Sequence, residues 1–421
     1  MRTLFLSFLC AVSLSVSAQK RIFIPEELRS IDFTCDSSRY SWMHSTQTRD
    51  LVFFWEKGFG DNPANPPQLE GHPMSFDLES LKDRVQYFYH FFRDTLRFSL
   101  PGSKADRYKM MVMINYSLEG TAYGGTYDNF IGALWVTPNR IQDRKFNCLA
   151  HELGHSFQLQ IQADSLSPCW GGSGFFEMTS QWMLWLVNPD WLTDENYHFE
   201  AFKKLTHKAY LDGSNIYHSP YVIAYWGEKH GLTSIADLYR DGRQGEDPVM
   251  TYQRHYGISQ QRFNDEMIDC YQRLVNLDYR HAYKETRRYA CQFATPMEAA
   301  GSGWSPKKEF TPEDYGFNAI RLTGCQSSKK VVATVAASDQ ARRQGGLRYG
   351  LVAVTAAGKA VYGKPVAHGG ASLKMPAEPL KAVYLVVMGA PAKHQRLSWD
   401  EKRPNRQYPY TVAFNKGVRP E

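Results

Sequence analysis

The stretch "NCLAHELGHSFQLQ", residues 147–160, places Glu152 between two histidines, His151 and His155. Apolar residues recur through it and proline is absent, which predicts a buried helix. On a helix, residues four apart lie one turn apart on one face, so both imidazoles can point at a single ion. Glu152 lies about 100° further round, where a base acting on a metal-bound water must be. Gly154 costs a helix about 1 kcal/mol relative to alanine, which suggests that another backbone approaches there.

A catalytic zinc site needs a third protein ligand and leaves a fourth position to water. The metzincin spacing is excluded, because Gln158 and Ile161 stand where its glycine and third histidine would be. Asp164 lies in a stretch rich in Ser, Pro and Gly that reads as a loop. Glu177 opens "FFEMTSQWMLWLV", residues 175–187, whose apolar residues recur at helical spacing. Glu177 is favoured because a rigid helix would present it, while Asp164 and a chance motif without metal remain the alternatives.

These residues resemble the gluzincin clan of zinc metallopeptidases. Twenty-one residues separate His155 from Glu177, similar to the H-E-x-x-H-x(8–28)-E pattern of enhancin-like and mucin-directed (M60-like) peptidases. Four further segments occur in the same order as in a family of secreted bacterial proteins of uncharacterised function, the DUF6055 type. They are "DLVFFWEKG", "YKMMVMINYS", "ALWVTP" and "YVIAYWGEKHGLTSIADLYR". The resemblance covers roughly residues 45–280. It implies an α+β fold with a zincin-like metallopeptidase core and bound Zn²⁺.

The same resemblance implies roles for residues around the metal. Many gluzincins carry an aspartate four residues after the glutamate ligand; this chain has Gln181 there, an amide that can accept an N–H bond but adds less charge. A Tyr or His from a helix start further along commonly stabilises the oxyanion. Tyr217, at the head of "YHSPYVIAYWGEKHG", fits that place best, with His218 and Tyr221 as alternates.

The resemblance also implies an edge strand just before the HELGH helix that pairs with extended substrate. The segment "NFIGALWVTP", residues 129–138, is the expected strand. Its upstream stretch "EGTAYGGTYDN", residues 119–129, is either an ordinary glycine-containing hairpin turn or a cleft rim that contacts substrate.

The chain divides into four parts by composition. Residues 1–18 have Arg2, an apolar run too short for a membrane span and an A-x-A-like end, so they predict a cleaved signal peptide and a secreted, periplasmic or cell-surface protein. Residues 19–292 would form the zincin-like catalytic domain and 293–312, rich in Pro, Gly and Ser, a linker. Residues 313–421 hold short β-rich runs, predicting an all-β sandwich-like accessory domain. This domain either contacts carbohydrate or is purely structural.

Composition excludes some other classes of protein. Lys and Arg are scattered and the net charge is only +6, so no basic stripe predicts nucleic-acid binding. Six cysteines follow the predicted signal peptide; disulfide pairing and buried free thiols are both open.

The sequence therefore predicts a zinc metallopeptidase that cleaves protein or glycoprotein substrates with zinc-activated water, Glu152 as general base and Tyr217 as oxyanion donor. His151, His155 and Glu177 would bind the zinc. The alternative is a non-catalytic protein that binds glycan or protein on a peptidase-like scaffold.

Overall fold

The computed structural model describes residues 19–165, 170, 174–396 and 404–421. The predicted signal peptide, residues 1–18, lies outside these residues. The strands of the N-terminal part are β1 (Ser45–Gln47), β2 (Leu51–Trp55), β3 (Met110–Ile114), β4 (Tyr123–Tyr127) and β5 (Ile131–Val136). The strands of the C-terminal part are β6 (Met297–Ala300), β7 (Gly303–Pro306), β8 (Phe317–Thr323), β9 (Lys330–Ala337), β10 (Leu347–Thr355), β11 (Ala360–Tyr362), β12 (Gly370–Lys374), β13 (Leu380–Gly389), β14 (Tyr410–Phe414) and β15 (Arg419–Pro420).

The helices lie mainly between β5 and β6. They are α1 (Leu78–His90), α2 (Lys104–Arg107), α3 (Asn147–Ala163), α4 (Phe175–Val187), α5 (Trp191–Asp194), α6 (Asn196–Leu205), α7 (Tyr221–His230), α8 (Ser234–Asp241), α9 (Pro248–His255), α10 (Gln260–Leu274), α11 (Tyr283–Thr286) and α12 (Asp339–Gln344). The described residues thus form a mixed helix and sheet protein, as the sequence predicts.

The N-terminal sheet has the strand order β1-β2-β3-β5-β4. β2, β3 and β5 run parallel, and β4 pairs antiparallel with β5. The three parallel strands are almost wholly buried because helices cover them. The edge-strand prediction for residues 129–138 was wrong: β5 is interior, and the edge is β4, inside the stretch 119–129. A glycine pair in β4 weakens its strand signal, so the sequence pattern leaves a turn and a cleft rim both open there and does not predict a strand.

Local sequence sets the helices that support the site. Asp77 caps α1, since its carboxylate accepts the backbone N–H of Ser80 at 3.0 Å. Gly154 lies where α3 meets α4. A Cβ at this position would come within 2.8 Å of Ser180 Oγ and 3.3 Å of Ser180 Cα. The absent side chain allows the close approach that the sequence suggested.

The C-terminal part consists of two five-stranded sheets, β11-β10-β13-β8-β15 and β12-β9-β14-β7-β6. Residues such as Ile320, Leu351 and Leu385 fill the space between them. The first sheet is buried on both faces, since alternate residues of β13 belong to different cores. Leu385 faces the second sheet, whereas Tyr384 and Val386 belong to the apolar core of the helical part.

The segment 293–312, predicted as a linker, contains the β6–β7 hairpin, and β7 pairs with β14 of the second sheet. Its Pro, Gly and Ser content therefore marks tight turns around short strands. Whether the chain divides functionally at this segment stays a prediction.

The cysteines of the described residues, Cys35, Cys148, Cys270, Cys291 and Cys325, are free thiols, and Cys169 lies outside those residues. Among the same residues, no helix is both long and apolar enough to cross a bilayer.

Candidate metal and catalytic site

Helices α3 and α4 bring His151, His155 and Glu177 together. The Nε2 atoms of the two histidines lie 3.1 Å apart, and each lies 3.1 Å from Oε2 of Glu177. The three side chains are only 11%, 14% and 19% exposed. Three ligand-type atoms therefore converge at one point near the protein surface.

Two glutamines fix which nitrogen of each histidine faces that point. His151 Nδ1 lies 3.2 Å from Gln181 Oε1, and His155 Nδ1 lies 3.1 Å from Gln158 Oε1. Each amide nitrogen donates to a backbone carbonyl, which can only accept: Gln181 Nε2 to Tyr217 at 2.9 Å and Gln158 Nε2 to Phe176 at 3.1 Å. The amide oxygens must therefore face the histidines, and both Nδ1 atoms donate.

It follows that both Nε2 atoms present lone pairs to each other and to the carboxylate. Three acceptors at 3.1 Å repel each other unless a proton or a metal cation lies between them. Zinc bonds of about 2.0–2.1 Å in a tetrahedral arrangement place ligand atoms about 3.3 Å apart, close to the observed spacing. Two imidazoles and one carboxylate also form a ligand set used in catalytic zinc sites, so the residues present fit this metal.

The electrostatics of the cluster agree with a need for positive charge. Burial works to raise the pKa of Glu177, but the two neighbouring imidazoles outweigh it and hold that pKa well below its ordinary value. Burial works to lower the pKa of His155, but the Glu177 carboxylate prevails and raises it. Both shifts favour a positive charge beside the ionised carboxylate, which a proton on His155 or a metal ion would supply.

Glu152 lies beside this cluster, where α3 meets the edge strand β4. Its Oε2 accepts the backbone N–H of Gly124 at 2.7 Å. Burial raises the pKa of Glu152, against the opposing effects of His151, His155 and the Gly124 bond. A carboxylate with a raised pKa is better matched to accepting and returning a proton near neutral pH.

Tyr217 reaches the cluster from a turn, not from a helix start. Helix α7 begins only at Tyr221, but the Tyr217 ring centroid lies 6.2 Å from that of His151. Partial burial, then the Glu177 carboxylate, raise the pKa of Tyr217 to about 12, so its hydroxyl stays protonated as a donor.

The two alternates to Tyr217 have other environments. His218 Nδ1 lies 2.6 Å from Nδ1 of His198. Tyr221 is fully buried and packs edge-on against Trp185 with ring centroids 5.7 Å apart.

Asp164, the alternative third ligand, has partners elsewhere. Its Oδ1 accepts the backbone N–H of Lys104 at 2.9 Å and lies 3.2 Å from Gln160 Nε2. It ends α3 more than two turns beyond His155 and is absent from the group of residues that could hold an ion. Among the described residues, that group is His151, His155 and Glu177.

The sequence analysis did not identify the contacts that two residues make with the site, Gln158 with His155 and Gly124 with Glu152. Gln158 lies three residues after His155, a helical spacing that could have suggested the contact. Gly124 offered no signal, because its contact with Glu152 joins residues 28 apart.

A cavity of about 220 Å³ opens beside the cluster. His151, Gln181 and Tyr217 are among the residues that line it. Its other walls include Arg140, Cys148, Leu184, Glu195, Tyr197 and His198. The arrangement thus combines a candidate ion site, a neighbouring carboxylate, a phenol donor and space for a bound group.

Among solved structures, the chain is similar to the ZmpB metallopeptidase from Clostridium perfringens, with 13% identity, a TM-score of 0.33, and coverage of 83% of this chain and 67% of that one. It is also similar to the M60 catalytic domain of Clostridium perfringens ZmpC in complex with the sialyl T antigen, with 11% identity, a TM-score of 0.29, and coverage of 83% and 66%. Likeness at this level assigns no activity to the chain.

No curated protein matches the chain. The family of unknown function DUF6055 matches residues 14–420, almost the entire sequence. The chain is a member of the DUF6055 family.

Proposed function

We propose that this protein is an exported zinc metallopeptidase with a zincin-like core that hydrolyses peptide bonds in proteins or glycoproteins. One observation carries the proposal: the lone pairs of His151 Nε2, His155 Nε2 and Glu177 Oε2 converge at mutual distances of 3.1 Å. A cation relieves that convergence, and Glu152 beside it is the general base that a purely structural zinc site does not need. Export rests on the signal peptide predicted for residues 1–18.

In this proposal His151, His155 and Glu177 hold the zinc. When bound, zinc supplies Lewis acidity at the scissile carbonyl and the attacking water. Glu152 takes the proton of that water and passes it to the leaving nitrogen. The protonated Tyr217 hydroxyl donates to the oxyanion that forms. The raised pKa values of Glu152 and Tyr217 suit both tasks.

The exposed edge of β4 supports an extended polypeptide as substrate. β4 pairs with β5 on one side only, so its other side offers backbone groups to an added strand. Tyr123, at its start, is 61% exposed. Because Gly124 of the same strand binds Glu152, a substrate paired there would lie next to the general base.

Substitution of Glu152→Gln tests the proposal. The amide is nearly isosteric and can still accept the Gly124 N–H, but it cannot take a proton from water. We expect zinc content to be unchanged and cleavage to fall by about 10²–10⁴-fold. Products are detected by terminal labelling after incubation with unglycosylated proteins and with mucin-type glycoproteins, with and without chelator.

Two results would redirect the proposal. Equal cleavage by wild type and the zinc-loaded Glu152→Gln variant would remove Glu152 from the mechanism. Absence of cleavage by wild type across both substrate sets, with zinc bound, would favour a non-catalytic protein that binds protein or glycan. Cleavage restricted to the glycoproteins would narrow the substrate to glycosylated chains.

A further inference from the structure

The side-chain amide of Gln181 contacts two different residues of the candidate site, one through its oxygen and one through its nitrogen. It is 3% exposed, its Oε1 faces His151 Nδ1 at 3.2 Å, and its Nε2 donates to the Tyr217 carbonyl at 2.9 Å. One planar amide thus spans the gap between a candidate metal ligand and the backbone of the candidate oxyanion donor.

A second network holds the same turn. The Nε2 of Gln181 also lies 3.3 Å from Nε2 of His198, whose Nδ1 lies 2.6 Å from Nδ1 of His218. Helices α4 and α6 therefore both hold the turn formed by Tyr217 and His218. The Tyr217 side chain is 45% exposed, so backbone contacts of this kind are needed to fix its position.

An aspartate or glutamate at position 181 could satisfy only half of this arrangement. A carboxylate accepts from His151 Nδ1–H, as the amide oxygen does. Its second oxygen would face the Tyr217 carbonyl, and two acceptors at about 2.9 Å repel each other instead of bonding. The amide is thus chemically matched to its two partners, a donor and an acceptor.

We infer that Gln181 is a positioning residue that couples the orientation of His151 to the placement of Tyr217. This inference has two halves. The catalytic half, an effect of Gln181 on the reaction, rests on the proposed function. The structural half, the placement of the Tyr217 turn by Gln181, does not. Gln181 sets the Tyr217 hydroxyl relative to the ion site through the Tyr217 backbone, and the acceptor for His151 is only one part of its role.

The discriminating variant is Gln181→Glu, which keeps size and the acceptor for His151 but removes the donor to Tyr217. Gln158→Glu is the matched control: it removes the donor to the Phe176 carbonyl and to Ser180 Oγ but keeps Gln181 and its bond to Tyr217. Gln181→Leu removes both contacts of Gln181 and gives a second measurement if the glutamate variant does not fold.

Hydrogen exchange measured by mass spectrometry tests the structural half without any substrate. We expect amides of residues 215–219 to exchange about 2- to 10-fold faster in Gln181→Glu and Gln181→Leu, the factor that loss of one hydrogen bond gives. Gln158→Glu should leave that segment unchanged, and Gln181→Glu should keep its zinc. Unchanged exchange in both Gln181 variants, or zinc loss from Gln181→Glu, would overturn the inference.

A double-mutant cycle tests the catalytic half on any substrate that wild type cleaves. Gln181→Glu should lower kcat with little change in KM, since the lost contact acts on a group used in the transition state. Adding Gln181→Glu to Tyr217→Phe should then cost little beyond the loss caused by Tyr217→Phe alone. Additive losses would show that Gln181 does not act through Tyr217. If wild type cleaves nothing, the proposed function fails while the exchange result still decides the coupling.

Discussion

The backbone N–H of Gly124 donates to Glu152 Oε2 at 2.7 Å, and a Cβ on Gly124 would lie only 1.7 Å from the Glu152 carbonyl oxygen. The edge strand β4 and helix α3 therefore meet at a point that admits only glycine. The same contact fixes the direction of the side chain of the proposed general base, so the edge of the sheet and helix α3 are held together at Gly124.

Substitution of Gly124→Ala should force β4 away from α3. Backbone atoms are the obstacle, so no rotamer change relieves the overlap, and we expect a loss of at least about 1–3 kcal/mol in the free energy of unfolding. Thermal unfolding measures it. Gly120→Ala is the control, because its Cβ would meet only Asn139 Nδ2 at 3.5 Å. A Gly124→Ala protein as stable as the control would contradict the close approach.

The third metal ligand is tested by comparing Glu177→Ala with Asp164→Ala. Elemental analysis of wild type should give near-stoichiometric zinc. Glu177→Ala should lose most of it, because it removes the only carboxylate of the cluster in the described part of the chain. Asp164→Ala should keep it, because that carboxylate binds the Lys104 backbone and Gln160. The opposite pattern would move the ligand role to Asp164.

The role of Tyr217 is tested by Tyr217→Phe. Loss of one oxyanion donor should reduce kcat by about 10²–10³-fold without removing zinc, since the phenol is not in the ligand set. Tyr197→Phe is the control, because Tyr197 lines the same cavity and is 63% exposed. If both variants keep full activity, the donor is another residue, and His218 is then the nearest alternate.

The predicted division at 293–312 is tested with residues 19–292 produced alone. If the division is right, this piece keeps zinc. It should also unfold about 2–4 °C below the full chain, the shift given by a loss of roughly 1–2 kcal/mol in a piece of this size. The reason is that Phe317 stacks on Tyr271 of α10 with ring centroids 4.1 Å apart, and the piece lacks that cover. An unfolded, zinc-free piece would refute the division; an equal Tm would refute the stabilising contact.

Local patterns predicted much of this molecule. The HELGH helix and the helix carrying Glu177 follow from the periodicity of their apolar residues, and the predicted site residues His151, Glu152, His155, Glu177 and Tyr217 lie around one point. The features that local sequence patterns could not predict depend on contacts between residues far apart in the chain. β4 is a strand because β5 pairs with it, and Gly124 matters because α3 happens to cross there.

The two parts of the chain share one apolar core, and this sets when the protein can finish folding. Tyr384 and Val386 of β13 pack into the same core as the helices that carry the candidate site. A chain grows from its N-terminus, so those helices exist long before β13 has been synthesised. We expect these helices to reach their full stability only after the last strands are in place, so the newly made protein should be easier to unfold until the whole chain is available.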